Sequence, residues 1–361
     1  MPYILSSGIQ TAEFCYTQQE LQSFVEQIFP MTSHEKQRLM PIFENTCIDK
    51  RQLAIDLSWF KNSHSFPERN DLFQNKAIQY SKQAISNCLS HEEFLTDSVS
   101  PADIDHILFI SSTGIATPTL DAYIINDLKF KESIKRSPIF GLGCAGGTSG
   151  VARGLEWLKG HPDKNVLVVC LELCSLTFQL NDRSLSNFVG TALFGDGASA
   201  VLIAGDESLL LSKRRSSIAR VDYSSSRIKR DSSTVMGWRV VETGFEVIFK
   251  KSIPRLVKEF WSAHAKSVLE ERGWDISELP FLIAHPGGRK VIEAYEETMK
   301  LDSTVLAHTK KILREHGNMS SPTVHYVLHE AMLARPDAGT KSLMTSLGPG
   351  FSSEIVSMEW S

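Results

Sequence analysis

Apolar and polar positions along the chain alternate between two periods. Helical spacing predicts a first helix over residues 17–29, with Thr17 as cap and Leu21, Phe24, Val25 and Ile28 on one face. Pro67 to Leu89 reads as a long helix, and Pro118 to Leu128 as a shorter one. Short apolar runs mark buried strands at Ile107–Ile110, Val166–Cys170 and Ala198–Ala204. Ser111-Ser112-Thr113-Gly114 ends the first of them, and Phe194-Gly195-Asp196-Gly197 reads as a turn into the last. Residues 206–234 are serine-rich and charged, with no clear period. They read as a connecting edge between a first half, 1–225, and a second, 226–361.

The second half repeats the first. Asp103-Ile104 ahead of Ile107–Ile110 is echoed 172 residues later by Asp275-Ile276 ahead of Phe281-Leu282. At an offset of 174, Gly143-Cys144 before one helix matches Gly317-Asn318 before another, Pro322 to Met332. Two echoes at nearly one offset predict a duplicated α/β fold, with helices flanking mainly parallel strands and halves related by a pseudo-twofold. Asn318 then sits opposite Cys144, and His285 ends the strand that pairs with Ile107–Ile110. Sites in α/β folds form at such strand ends.

The glycine-rich run Gly141–Gly150 leads into a helix spanning Ala145 to Lys159. Cys144 is expected on its first turn, where free N–H groups and the helix dipole favour an anion and lower the thiol pKa. A cysteine thiolate can take an acyl group from a thioester, and His285 and Asn318 can donate hydrogen bonds to the oxyanion that develops.

Composition narrows the alternatives. The 361 residues are 42% hydrophobic and 22% charged, with ample material for a core. A net charge of −4 supplies no basic field for nucleic acid. No apolar run reaches the ~20 residues of a membrane span, and the first residues have no secretory pattern. Six scattered cysteines without CxxC pairs argue against a disulfide framework and a zinc site, and point to the cytoplasm. Trp157, Trp238 and Trp274 read as packing residues, and Lys213-Arg214-Arg215 as a solvated loop.

Together the motifs resemble the type III polyketide synthases, the chalcone synthase-like branch of the thiolase-like fold. The resemblance rests on Gly143-Cys144-Ala145-Gly146-Gly147, Leu193-Phe194-Gly195-Asp196-Gly197-Ala198, His285-Pro286-Gly287-Gly288, Gly317-Asn318-Met319-Ser320-Ser321 and Leu347-Gly348-Pro349-Gly350. It implies a duplicated αβαβα architecture and a homodimer. Catalysis would use Cys144, His285 and Asn318, acting on acyl-CoA and malonyl-CoA with no metal or further cofactor. Thr177, Phe194, Ser320 and Gly350 would contact substrate. Thr117, Cys174 and Val247 stand where the plant pattern has a methionine from the neighbouring subunit, a threonine and a second gatekeeper phenylalanine. These departures resemble the bacterial branch that makes alkylpyrones or alkylresorcinols from fatty acyl starters. Ser346-Leu347 replaces a Gly-Phe pair, and Asn45 falls where a lysine is expected among the basic residues, Arg38 to Arg51, that grip CoA.

Other chemistries fit less well. A ketoacyl synthase would share Cys, His and Asn but need an acyl-carrier protein. A Cys–His–Asn hydrolase would release free acid. Gly141-x-Gly143-x-x-Gly146 also fits a dinucleotide fingerprint, but a cysteine occupies the phosphate turn and the next strand-ending acid, Glu172, comes late for a ribose contact.

Overall fold

The computed structural model describes residues 1–361 and contains thirteen strands. They are β1 Tyr3–Thr11, β2 Phe14–Thr17, β3 Lys50–Leu53, β4 His106–Ile110, β5 Lys135–Ile139, β6 Asn165–Leu173, β7 Asp196–Ala204, β8 Ala219–Ile228, β9 Met236–Val241, β10 Gly244–Phe249, β11 Ile283–Ala284, β12 Lys341–Gly348 and β13 Ser352–Trp360. Nine form one sheet in the order β11-β12-β13-β8-β1-β7-β6-β4-β5. The strands β2/β3 and β9/β10 form separate hairpin-like pairs.

The duplication is visible in the pairing. Reading outward from the antiparallel β1–β8 junction, β1-β7-β6-β4 on one side mirrors β8-β13-β12-β11 on the other. Two buried helices, Gly146–Lys159 and Thr323–Leu333, pack on each other and on strands of both halves, so the sheet wraps around them. The long helix Phe66–Leu89 covers the outer face of β1, β6 and β7, and Ser262–Arg272 lies against β13. This is the layered α/β arrangement of the thiolase-like fold.

Several elements form where the periodicity places them. Thr17 caps helix Gln18–Ile28 through a capping box with Glu20, and Ser65 does the same for Phe66–Leu89 with Glu68. The run Val166–Cys170 is the centre of β6, buried along its whole length.

The sheet is not mainly parallel. Parallel pairing is confined to β4–β5, β4–β6 and β11–β12; the other pairs are antiparallel. The short link Pro349–Phe351 between β12 and β13 permits only an antiparallel return. The strand before His285 does not pair with β4, because β11 and β4 lie in opposite halves of the sheet and are related only by the repeat. Nor is 206–234 merely connecting: it contains β8, which holds the halves together through β1 and β13. Its serines hid it, since Ser224, Ser225 and Ser226 break the apolar alternation while bonding to Glu156, His264 and Glu354. The division 225/226 lies inside this strand. The turn expected at Gly195-Asp196-Gly197 is shorter, because Asp196 already begins β7 as a buried carboxylate. Lys213 and Arg215 are tied down rather than free, donating to the carbonyls of Ser98 and Leu95.

Candidate active site

Cys144 lies on a short 3₁₀ turn, Gly143–Ala145, immediately before the helix that starts at Gly146. Gly143 takes φ +48°, a conformation that favours glycine, and a Cβ there would meet Pro349 at 2.9 Å. The turn is held from the first half by Ser112, whose Oγ accepts from the amides of Gly141 (3.2 Å) and Gly143 (3.3 Å). The thiol faces the second half. Its Sγ lies 3.6 Å from Ser320 Oγ and 3.9 Å from Asn318 Oδ1.

Asn318 is fixed by its backbone. Its N–H donates to Leu193 O (2.9 Å) and its carbonyl accepts from Gly195 N–H (3.0 Å), which pairs it in parallel with Phe194. Its Oδ1 also accepts from Ser320 N–H at 2.8 Å, so the amide Nδ2 is the group left to donate. Ser321 Oγ donates to Glu172 Oε1 at 3.0 Å. The other oxygen of Glu172 accepts from Ser112 N–H and Thr113 Oγ1, so one buried carboxylate joins the cysteine side to the asparagine loop.

His285 follows β11, with its N–H donating to Thr345 O at 2.8 Å. It is 2% exposed, and neither ring nitrogen has a hydrogen-bond partner. A buried imidazole whose two polar atoms find no partner in the protein is costly in an inert interior. The loop after it reaches the asparagine side, since a Cβ on Gly288 would touch Leu193 at 3.5 Å.

Electrostatics here run against the expected activated thiolate. Burial pushes the Cys144 thiol up to about 11; the Ser320 hydrogen bond pulls it down, and the nearby Glu172 pushes it up. Burial also pushes His285 down to about 3. The thiol and the imidazole are therefore both neutral at rest.

Cys174, Thr177, Phe194 and Val247 share one narrow cavity of about 50 Å³, which runs out under the first helix past Phe24 and Leu21. Cys174, Phe194 and Val247 touch one another as a small apolar cluster. Trp238, which reads from sequence as packing, lies tilted against Phe194 with ring centroids 5.7 Å apart, and Phe249 lies 5.6 Å from the same ring. Thr117 lies apart from the cavity, in an exposed groove with Ile115 and Phe140. Gly350 does not line this cavity either; it follows Pro349, which packs on Gly143, and its carbonyl accepts from Ser232 Oγ.

Three residues of the site escaped sequence reasoning. Glu172 was weighed only as a ribose contact, although a lone acid inside the apolar run of β6 signals a buried polar hub. Asp196 reads in the sequence as a turn residue. Burial pushes its carboxyl up to about 6, and it accepts from Ser175 N–H and Oγ and from Ala54 N–H. Arg51 was grouped with basic residues for CoA. It is 1% exposed and turned inward, with Nη1 donating to the carbonyls of Thr191 (2.7 Å) and Phe194 (2.5 Å). No group of three or more His, Cys, Asp and Glu side chains is placed to hold a metal ion. No helix is long and apolar enough to cross a membrane.

Comparison with known proteins gives the family. Residues 4–207 match the family model for the N-terminal domain of chalcone and stilbene synthases, and residues 220–359 match that for the C-terminal domain. A chalcone-synthase-like protein of Bacillus subtilis (strain 168) is 37% identical over all of this chain and 99% of its own. The 1,3,6,8-tetrahydroxynaphthalene synthase of Streptomyces peucetius subsp. caesius is 31% identical over 96% of this chain and 89% of its own. The solved structure of the 1,3,6,8-tetrahydroxynaphthalene synthase of Streptomyces coelicolor A3(2), a bacterial type III polyketide synthase, superposes with a TM-score of 0.91 at 25% identity, covering 100% of this chain and 99% of that one. With both domain models matched over nearly its whole length, this chain belongs to the chalcone and stilbene synthase family, the acyl-transferring, decarboxylative type III polyketide synthases.

Proposed function

We propose that this polyketide synthase loads a long-chain fatty acyl-CoA on Cys144 and extends it with malonyl-CoA to products such as alkylpyrones. The observation that carries the catalytic part is His285, buried with both ring nitrogens unpaired. On loading, the Cys144 thiol gives its proton to His285 as sulfur attacks the thioester carbonyl. CoA leaves and takes up the proton, restoring the neutral imidazole. His285 and Asn318 Nδ2 then donate to the carbonyl oxygen of malonyl-CoA. The C–C bond to the carboxylate breaks, CO2 departs, and the enolate is held by these donors. Its carbon attacks the acyl-Cys144 carbonyl, forming the new C–C bond and expelling the Cys144 thiolate, which takes up the one solvent proton that the decarboxylative condensation consumes overall. The sequence of steps needs only CoA thioesters, without a metal or organic cofactor.

The starter assignment rests on Cys174 and Val247, small groups sharing an apolar cavity with Phe194. Each CH2 buried there contributes about 0.8 kcal/mol, so four extra carbons give ~3 kcal/mol. That is roughly a hundredfold preference in kcat/KM if it persists in the transition state. The cavity as it stands holds about 50 Å³, so a fatty chain has to displace side chains along it. Cys174→Phe is expected to shorten the preferred starter while acetyl-CoA still labels Cys144. Mass spectrometry of products from a panel of acyl-CoA starters checks both points; a preference for aromatic starters would overturn the assignment. A requirement for a carrier protein, or a halt after one condensation, would instead favour a ketoacyl synthase.

We further place the enzyme in the cytoplasm as a homodimer, with Thr117 presented to the neighbouring subunit. The groove around it exposes Ile115 (49%) and Phe140 (59%), large apolar groups that a second copy would cover. Sedimentation of wild type and Phe140→Asp tests this: a wild-type monomer would reject it.

A further inference from the structure

The C-terminal end of helix Leu185–Leu193 has an unusual fate. The last carbonyls of a helix lack intrahelical partners, and here each finds one from another part of the chain. Arg51 Nη1 donates to Thr191 O and to Phe194 O, Gln18 Nε2 donates to Ala192 O at 2.8 Å, and Asn318 N–H donates to Leu193 O. Gln18 is itself held by Arg51, whose Nε donates to its Oε1 at 3.1 Å. The same arginine reaches the asparagine loop by its stem. A Cβ on Gly317 would meet Arg51 Cδ at 2.7 Å and Cγ at 2.9 Å, and Gly317 precedes Asn318.

Burying a guanidinium is expensive when no carboxylate pairs with it. Arg51 has no ion pair: Asp196, whose charge it feels, spends its oxygens on Ser175 and Ala54. The compensating charge is instead the negative end of the helix, supplied by the carbonyls that Arg51 binds. A cation placed this way fixes the carbonyls of Phe194 and its neighbours, and Asn318 pairs with that same backbone.

We propose that Arg51 is a positioning residue for Asn318. It acts on malonyl decarboxylation by clamping the Phe194–Asn318 pair from behind, without touching the reacting atoms. The proposal rests on the reading of Asn318 as an oxyanion donor. The test is a double-variant cycle on CO2 release from malonyl-CoA, with acetyl-CoA labelling of Cys144 measured in parallel. Arg51→Met is expected to lower kcat for CO2 release about 10²-fold, the effect of a displacement near 1 Å, with KM and labelling retained. Arg51→Lys is expected to recover part of the loss, since one ammonium cannot fork to both carbonyls and Gln18. Arg51→Met combined with Asn318→Ala is expected to be no slower than Asn318→Ala alone, because both remove the same donor. A double variant slower by the product of the single effects would overturn the proposal, as would parallel loss of CO2 release and labelling. If Arg51→Met does not fold, Arg51→Lys takes its place in the cycle with the same criteria. Wild-type CO2 release in Asn318→Ala would overturn the Asn318 reading itself, and this one with it.

Discussion

The helices Gly146–Lys159 and Thr323–Leu333 occupy equivalent places in the two halves, yet they are packed by opposite means. The first is narrow. A Cβ on Gly147 would lie 2.5 Å from Ser321 O and Val324 Cγ1, and one on Gly150 would lie 2.5 Å from Val168 Cγ1. The second is wide and polar inside. His325 bonds to Gly147 O (3.0 Å) and Ser199 Oγ (2.9 Å), His329 to Ser7 Oγ (2.9 Å), and Tyr326 OH donates to Gln10 O (2.7 Å). A duplicated fold thus does not fix how its central helices fill space. One side closes by removing side chains, which brings the cysteine turn against its partner. The other fills the remaining volume with groups none of whose fully buried polar atoms lacks a partner, as a buried network requires.

The two sides are also unequal in chemistry, and the largest expected effects separate them. Cys144→Ala is expected to abolish labelling by radioactive acyl-CoA, while Cys170, buried inside β6, can be replaced by alanine with labelling intact. Asn318→Ala should keep labelling and lower CO2 release from malonyl-CoA by about 10²–10³, the usual loss on removing one oxyanion donor. Labelling that survives in Cys144→Ala, or is lost in Asn318→Ala, would erase the division of labour.

Packing gives the next effect in size. Gly150→Val puts side-chain atoms where Val168 and Ile110 already lie, and overpacking of this kind costs about 1–3 kcal/mol. His325→Leu keeps the volume but leaves Ser199 Oγ without this partner and takes from Gly147 O its second donor, about 1–3 kcal/mol by a different route. Urea melts separate the two. Val168→Ala should partly relieve Gly150→Val but not His325→Leu. Absence of that relief would mean the narrow helix is not set by contact with β6.

Much of this was legible in the residues. The glycines around Cys144, the apolar run of β6 and the offset between Gly143-Cys144 and Gly317-Asn318 each carry a local signal, and the fold repeats where they repeat. What was not legible is long-range and polar. Arg51 looks like any surface arginine until the carbonyls of residues 191 and 194 are brought to it. β8 escaped because its serines bond to side chains from other elements. The lowered thiol pKa expected at a helix start failed for a related reason: dipole arguments are local, and burial by the opposite half is not.

Titration sharpens the comparison in a different way, through an effect that changes with pH. Burial pushes Glu172 up to about 7 and Asp196 up to about 6, both in the first half. In the second half it pushes His264, His316, His325 and His329 down to about 4. The first half's His106 is also held at about 4. A carboxyl raised on folding contributes stability below its unfolded pKa, near 4, that is lost as pH rises through 6 to 7. An imidazole depressed on folding does the reverse. Its contribution is whole above about 6.5 and drains away as pH falls toward 4, because the unfolded chain binds protons that the folded one excludes. Acid should therefore loosen the second half first. Hydrogen exchange, corrected for intrinsic rates, is expected to show helix Thr323–Leu333 losing protection relative to Gly146–Lys159 between pH 7 and pH 5. His325→Gln removes one such proton while keeping a side chain able to bond. The slope of unfolding free energy against pH should then fall by about one proton, ~1.4 kcal/mol per pH unit, between about pH 4 and 6.5. An unchanged slope would mean that His325 titrates alike folded and unfolded, and the acid sensitivity would have to reside in the other histidines.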